Sequence, residues 1–297
     1  MTSQNILITG ISGLVGNALR QCLSEHGYTV YGLDRYDHTA PFYYNQTRGI
    51  MTFSENIPLE AVINLAGASL ASGRWNAQRK KQIYDSRILT TQHLCDRLAA
   101  LPSPPAVLLS ASAMGYYGQT GAQIVDEDSP VGTDFLASIA HDWEAATGTA
   151  QQAGIRTVFL RFGLVLSMNG GVLPNFILPG RLAAVGRIGD GQQYLSWISL
   201  PDALQTIMLL LSDKTFSGPI NLVSNHELTN KEFTSQISKA LGRPRVPPLP
   251  AAAVKLLFGE MGEATLLSSS RVHSKRFSEL GFAPRHEELP SALQVLL

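Results

Sequence analysis

An α/β architecture, a doubly wound parallel sheet with a smaller and mostly helical C-terminal lobe, is written into this chain by three features. The first is Asn5-Ile6-Leu7-Ile8-Thr9-Gly10-Ile11-Ser12-Gly13-Leu14-Val15-Gly16, an apolar run ending in Thr-Gly with further glycines at 13 and 16. The second is the alternation of short apolar runs with helical patterns as far as Arg161, which argues for a parallel sheet covered on both faces. The third is the loss of that rhythm in 163–193, a stretch rich in glycine and proline.

The opening segment reads as a buried strand, a tight turn and the start of a helix marked by Leu14, Val15, Ala18 and Leu19. Gly10 permits the turn, Gly13 a close approach of phosphate to backbone, and Gly16 close packing of helix on strand. The bare N–H groups and the helix dipole then favour a pyrophosphate, as in a Rossmann-type fold. Residues 28–34 form a second strand ending in Asp34. Residues 35–60 are polar and turn-rich with one short strand at 48–53, so this half of the fold is abbreviated. A strand at 61–65, a long helix over 76–100 stopped by Pro102, and a strand at 106–110 follow. A helix over 134–152 leads to the strand 156–161. Beyond the break come a strand at 194–198, a helix at 201–212, a strand at 219–223 and a helix at 229–242. A proline-rich link, 243–250, precedes a small helical end, 251–297. The expected division is a nucleotide-binding domain over 1–165, completed within 194–223, and a substrate lobe from 166–193 and 224–297.

Composition narrows the function. The 23 basic and 23 acidic side chains balance, which gives no electrostatic footing to nucleic acid or an anionic membrane. No apolar run approaches the roughly 18 residues that span a bilayer. Cys22 and Cys95 lie among apolar neighbours in expected helices and read as buried free thiols, not as a disulfide or a metal site. A soluble, cytoplasmic protein with a small-molecule substrate is expected, as a monomer or homodimer.

Dinucleotide folds bind their cofactor at the carboxyl ends of the strands, so candidate contacts follow each strand. A carboxylate at Asp34 suits an adenosine ribose and NAD, whereas a guanidinium at Arg35 suits a 2′-phosphate and NADP; the pair leaves both open. Asn64-Leu65-Ala66-Gly67 offers small residues along which a cofactor lies. Ser110-Ala111-Ser112-Ala113-Met114-Gly115-Tyr116-Tyr117-Gly118 gathers hydroxyls and two tyrosines where nicotinamide and substrate meet. A tyrosine there serves as general acid or base once its pKa is lowered, or simply packs. Arg161 either fixes a substrate anion or pairs with Glu144. His141 is a candidate base, Asp202 a helix cap or pairing partner near 201–212, and Gln192, Gln193, Tyr194 and Trp197 candidate pocket residues. Arg181 and Arg187 are candidates for a substrate phosphate.

These motifs together resemble an extended short-chain dehydrogenase/reductase, and within it the atypical "epimerase family protein" branch of sugar-nucleotide epimerase relatives. Arg74-Trp75, Ser86-Arg87, Asp126-Glu127-Asp128-Ser129-Pro130, Leu160 to Leu166, Gly170-Gly171 and Gly189 to Ile198 match the same branch. So does the C-terminal lobe, which resembles that branch's domain of unknown function. The resemblance spans essentially the whole chain. It implies bound NADP(H) or NAD(H), with contacts at Gly10, Ser12, Gly13, Leu14, Val15, Gly16, Asp34, Arg35, Leu65, Ala66, Gly67, Ser86, Arg87, Ser110, Gly163, Leu164 and Val165. It places the catalytic hydroxyl on Ser112; Tyr117 or Tyr116 from the same loop, or a water, is then the candidate to handle the proton.

One departure bears directly on mechanism. Extended members carry a catalytic Tyr-x-x-x-Lys on the helix after the serine. Here the two places fall near Leu136 and on Ala140, and the motif occurs nowhere in the chain. Ser199 stands where the branch usually has histidine, and Asp34 where it often has a small hydroxyl residue. Two functions therefore follow: an NAD(P)-dependent oxidoreductase or epimerase-like enzyme on a small polar substrate, or a non-catalytic NAD(P)-binding redox sensor or interaction protein.

Overall fold

The computed structural model describes residues 4–174, 176–177 and 185–297. Six strands form the central sheet: β1 (Asn5–Thr9), β2 (Thr29–Gly32), β3 (Ala61–Asn64), β4 (Val107–Ala113), β5 (Arg156–Phe162) and β6 (Gly218–Leu222). Their spatial order is β2-β1-β3-β4-β5-β6, and every pairing is parallel. Strand order therefore reverses between β1 and β3, which opens a crevice at their carboxyl ends.

Successive side chains of a strand point to opposite faces, and both faces are covered. Ile6, Ile8, Ile63 and Leu109 pack on Leu19 and Leu23 of α1 (Leu14–Glu25) and on Ile207 and Leu210 of the helix Leu200–Ser212. Leu7, Val62 and Leu108 pack on the other face with Leu94, Cys95 and Leu98. The strands consequently read as unbroken apolar runs.

Three expectations about local structure change. The long helix over 76–100 is two helices, α2 (Ala77–Asp85) and α3 (Ile88–Ala99), separated at Ser86-Arg87. Ser86 Oγ accepts the N–H of Ala68 and donates to the carbonyl of Ile83, which ties the break to the loop after β3. The helix over 134–152 likewise divides into α4 (Phe135–Ala145) and α5 (Gly148–Gln152). The single strand near 48–53 is one arm of a hairpin, Phe42–Asn45 against Ile50–Phe53, and Asp34 bridges to Tyr43 at its root.

The C-terminal half carries α6 (Leu200–Ser212), α7 (Asn230–Ala240), α8 (Ala251–Thr265) and α9 (Leu289–Leu296). A second core joins Leu166 and Trp197 to Phe233, Ile237, Leu289 and Leu293. The proline-rich link is a strand, Arg245–Leu249, paired parallel with Val185–Ile188. The C-terminal segment also returns to the main sheet, where Phe277 and Phe282 pack near Ile220 and Leu222. Cys95 is buried, which pushes its thiol up to about 12, whereas Cys22 is only partly covered. Among the described residues no helix is long and apolar enough to cross a membrane.

Candidate functional site

A cavity of about 460 Å³ opens at the carboxyl ends of β1, β3, β4 and β5. The glycine turn forms one end. Gly10 has φ +69°, and a Cβ on it would lie 2.7 Å from the Leu65 carbonyl oxygen, so only glycine fits. A Cβ on Gly16 would lie 2.3 Å from the Gly10 oxygen, because α1 packs directly on the turn. Gly13 is the N-cap of α1, whose first turn has no side-chain cap. Gly10, Gly13, Leu14, Val15 and Gly16 all line the cavity, so uncapped helix N–H groups and the positive dipole end face it.

Hydrogen bonds between strand ends fix this geometry. Thr9 Oγ1 donates to Asn64 Oδ1 at 2.6 Å and accepts the N–H groups of Leu65 and Ala66. Asn64 Nδ2 donates to Thr91 Oγ1 and Ser110 Oγ, and Trp143 Nε1 donates to the same Thr91 oxygen. Ser110 is fully buried in this network and is not part of the cavity wall.

Arg87 is the cation of the cavity wall. Its guanidinium donates to the carbonyls of Ile83 and Ala68 and sits over the Trp143 ring at 5.2 Å. It makes no ion pair among the described residues. Burial, with the charge of Arg79, pulls its pKa down to about 10. A partly desolvated cation without a carboxylate partner, on the same wall as an uncapped helix N-terminus, fits a pyrophosphate.

A buried ion pair stands behind the opposite end. Ser112 Oγ donates to Glu144 Oε1 at 2.7 Å, and Arg161 donates to both Glu144 oxygens at 2.8 Å each. Arg161 thus adopts the pairing with Glu144, not the role of a substrate-anion clamp. Its Nη1 donates to Tyr117 Oη, which donates to Asn221 Oδ1, each at 2.8 Å. Burial pushes the Tyr117 phenol up to about 12, and Tyr117 is not in the cavity wall. Its hydroxyl is thereby held between two buried partners, Arg161 and Asn221. Tyr116 is also outside the wall, with its ring centroid 3.5 Å from the Arg161 guanidinium carbon.

Leu136 and Ala140 both line the cavity, on one face of α4 with Ile139 and Trp143. Their spacing, i, i+3, i+4 and i+7, is the apolar stripe of a helix. That stripe was readable in the sequence and marks Trp143, which motif reasoning passed over. Leu65, Ser112, Gly163, Leu164 and Tyr194 line the wall. Ala264, Thr265, Ser268 and Ser270 join it from the C-terminal lobe, without any motif to announce them.

Ser12, Asp34, Arg35, Ala66, Gly67, Ser86 and Val165 lie outside the wall. Asp34 Oδ1 accepts the N–H groups of Tyr36 and Asp37, which hold its carboxyl below the usual range. Arg35 beside it is exposed. His141 is exposed against Asp142. Trp197 is fully buried core, and Gln193 donates to the backbone of Ile188 and Leu266. Asp202 is buried, accepting from Ser199 and the Arg285 and His286 backbone, with the His286 ring at 3.2 Å. Arg187 lies outside the wall, and Arg181 lies outside the described residues.

Known proteins agree with this architecture. Residues 6–222 match the NAD dependent epimerase/dehydratase family, and residues 249–296 match a domain of unknown function, DUF1731. An epimerase family protein of Mycobacterium bovis is 36% identical over 295 residues, covering 99% of this chain and 97% of its own. The human epimerase family protein SDR39U1, solved with NADPH, superposes with a TM-score of 0.89 at 30% identity, covering 98% of both chains. A UDP-glucose 4-epimerase from Thermotoga maritima, solved with UDP-glucose, shares the fold at TM-score 0.78 and 18% identity, over 98% of this chain and 97% of that one. The chain belongs to the NAD dependent epimerase/dehydratase family, with an SDR-type nucleotide-binding fold.

Proposed function

We propose that the cavity binds NADP(H) and that the chain is an NAD(P)-dependent oxidoreductase or epimerase-like enzyme acting on a small polar substrate. The observation that carries this reading is Arg87, a half-buried cation with no carboxylate partner among the described residues, on the same wall as the uncapped N-terminus of α1. The turn and Arg87 hold the pyrophosphate. The segment Gly163 to Val165 and Ser112 lie toward the reacting end. A bound nicotinamide supplies a hydride donor or acceptor there. The choice of NADP over NAD rests on two supports. Asp34 spends Oδ1 on its own turn, leaving exposed Arg35 to meet a 2′-phosphate, and the similar human protein was solved with NADPH. The fold neighbours solved with sugar nucleotides make that substrate class the first to try.

The test is calorimetric titration with NADPH and NADH, followed by a panel of carbonyl and sugar-nucleotide substrates. NADPH should bind more tightly than NADH, and Arg35→Ala should remove the difference. Equal affinity in the wild type refutes the NADP assignment, and no binding of either refutes the site.

A second reading, a cofactor-binding protein without turnover, is favoured by one observation. Leu136 and Ala140 put hydrocarbon on the wall where the family resemblance expects a tyrosine and a lysine. Tight NADPH binding with no oxidation by any panel member, and a partner whose affinity depends on NADPH, would select it.

A further inference from the structure

Ser112 lines the cavity at the carboxyl end of β4 and is 3% exposed. Its hydroxyl carries one proton, and that proton is donated to Glu144 Oε1. The partner fixes the direction of this bond. Glu144 accepts Nε–H and Nη2–H of Arg161, so it is an ionised carboxylate with no proton to give. Arg161 is itself held, by Tyr117 through Nη1 and by the Tyr116 ring against its plane. Asn221, which receives the Tyr117 hydroxyl, donates through Nδ2 to the His273 carbonyl and through its N–H to Glu127. The serine proton is therefore anchored on an ion pair that both lobes brace.

We propose that Ser112 faces the cavity as a hydrogen-bond acceptor, so that the ligand group it takes carries an O–H or N–H donor. The proposal rests on the reading of this cavity as an NAD(P) site. A serine that turned its proton to a ligand carbonyl would strip a charge-assisted bond from a buried carboxylate, a loss of about tenfold or more in affinity. Two groups have the required chemistry: the hydroxyl of an alcohol substrate and the carboxamide N–H of the nicotinamide. A keto oxygen does not. Glu144 and Arg161 act through Ser112 as positioning residues.

The test compares dissociation constants of wild type and Ser112→Ala for two pairs of ligands. The first pair is NADP+ and its 3-acetylpyridine analogue, in which a methyl replaces the amide nitrogen. The second is benzyl alcohol and benzaldehyde, titrated by NMR onto the NADP+-loaded protein. Ser112→Ala should weaken the donor-bearing member of one pair about tenfold and leave its partner within about twofold. A response in the first pair assigns the carboxamide, and one in the second assigns a substrate hydroxyl. Ser112→Thr, which keeps the hydroxyl, should restore the wild-type pattern, and melting curves check that both variants fold. Equal loss within a pair, greater loss for the donor-less member, or no response in either pair overturns the proposal. If neither dinucleotide binds the wild type, the cofactor reading fails and this assignment fails with it.

Discussion

Replacing Arg87 with methionine separates what the guanidinium does for the fold from what it does for a ligand. In the free protein the group is partly desolvated, and its pKa falls to about 10. That lowering corresponds to a penalty on the charged form of about 3 kcal/mol. Its two bonds, to Ile83 and Ala68 carbonyls at 3.1 and 3.0 Å, return about 1 to 3 kcal/mol each for a charged donor. Arg87→Met removes the penalty and the bonds together, so stability should change by no more than ~3 kcal/mol. The loaded protein behaves differently. A pyrophosphate loses a charge-assisted bond of about 1.5–3 kcal/mol, so the NADPH dissociation constant should rise roughly 10- to 150-fold. Urea unfolding of the free protein measures the first quantity and calorimetric titration at fixed ionic strength the second. An affinity within threefold of wild type, with the variant folded, refutes the assignment of Arg87 to the phosphates.

Four further outcomes follow from the same geometry. NADPH affinity should fall as pH rises through about 10, where Arg87 loses its proton in the folded protein, and Arg87→Met should abolish that fall. Because the folded pKa lies below the unfolded one, the free protein should gain stability from this group only above that pH; unfolding measured from pH 9 to 11 checks the sign. Gly16→Ala drives a Cβ to 2.3 Å from the Gly10 oxygen and should destabilise by about 1–3 kcal/mol while weakening NADPH, as unfolding and titration will show. Tyr117→Phe leaves Arg161 Nη1 and Asn221 Oδ1 without their shared partner, so about 1–3 kcal/mol of stability should be lost at unchanged NADPH affinity. Full stability with abolished turnover would restore Tyr117 as a proton carrier.

The sheet was legible because its signal is local. Ile6 to Ile8, Val62-Ile63 and Val107 to Leu109 are short runs buried on both faces, and their spacing already implies the intervening helices. The turn was legible because three glycines are each demanded by a neighbour within a few residues or by the next strand. The helix break at Ser86 carried no glycine or proline and the one at Ala146 only Gly148 beyond it, since side-chain bonds to nearby backbone make them. The network behind Ser112 joins residues from 112 to 221, and such contacts exist only once β4, β5, β6 and α4 have packed. For the same reason Tyr117 looked available in its motif, whereas its hydroxyl is enclosed by Arg161 and Asn221.

The most direct test is titration of the wild-type protein with NADPH, following nicotinamide fluorescence. A ring that enters a cavity walled by Leu136, Ile139, Ala140 and Trp143 should brighten and shift to the blue. The account predicts saturation at one NADPH per chain, reversed by excess NADP+ and shifted to higher concentration by Arg87→Met. Fluorescence that stays that of free NADPH up to millimolar protein would contradict it.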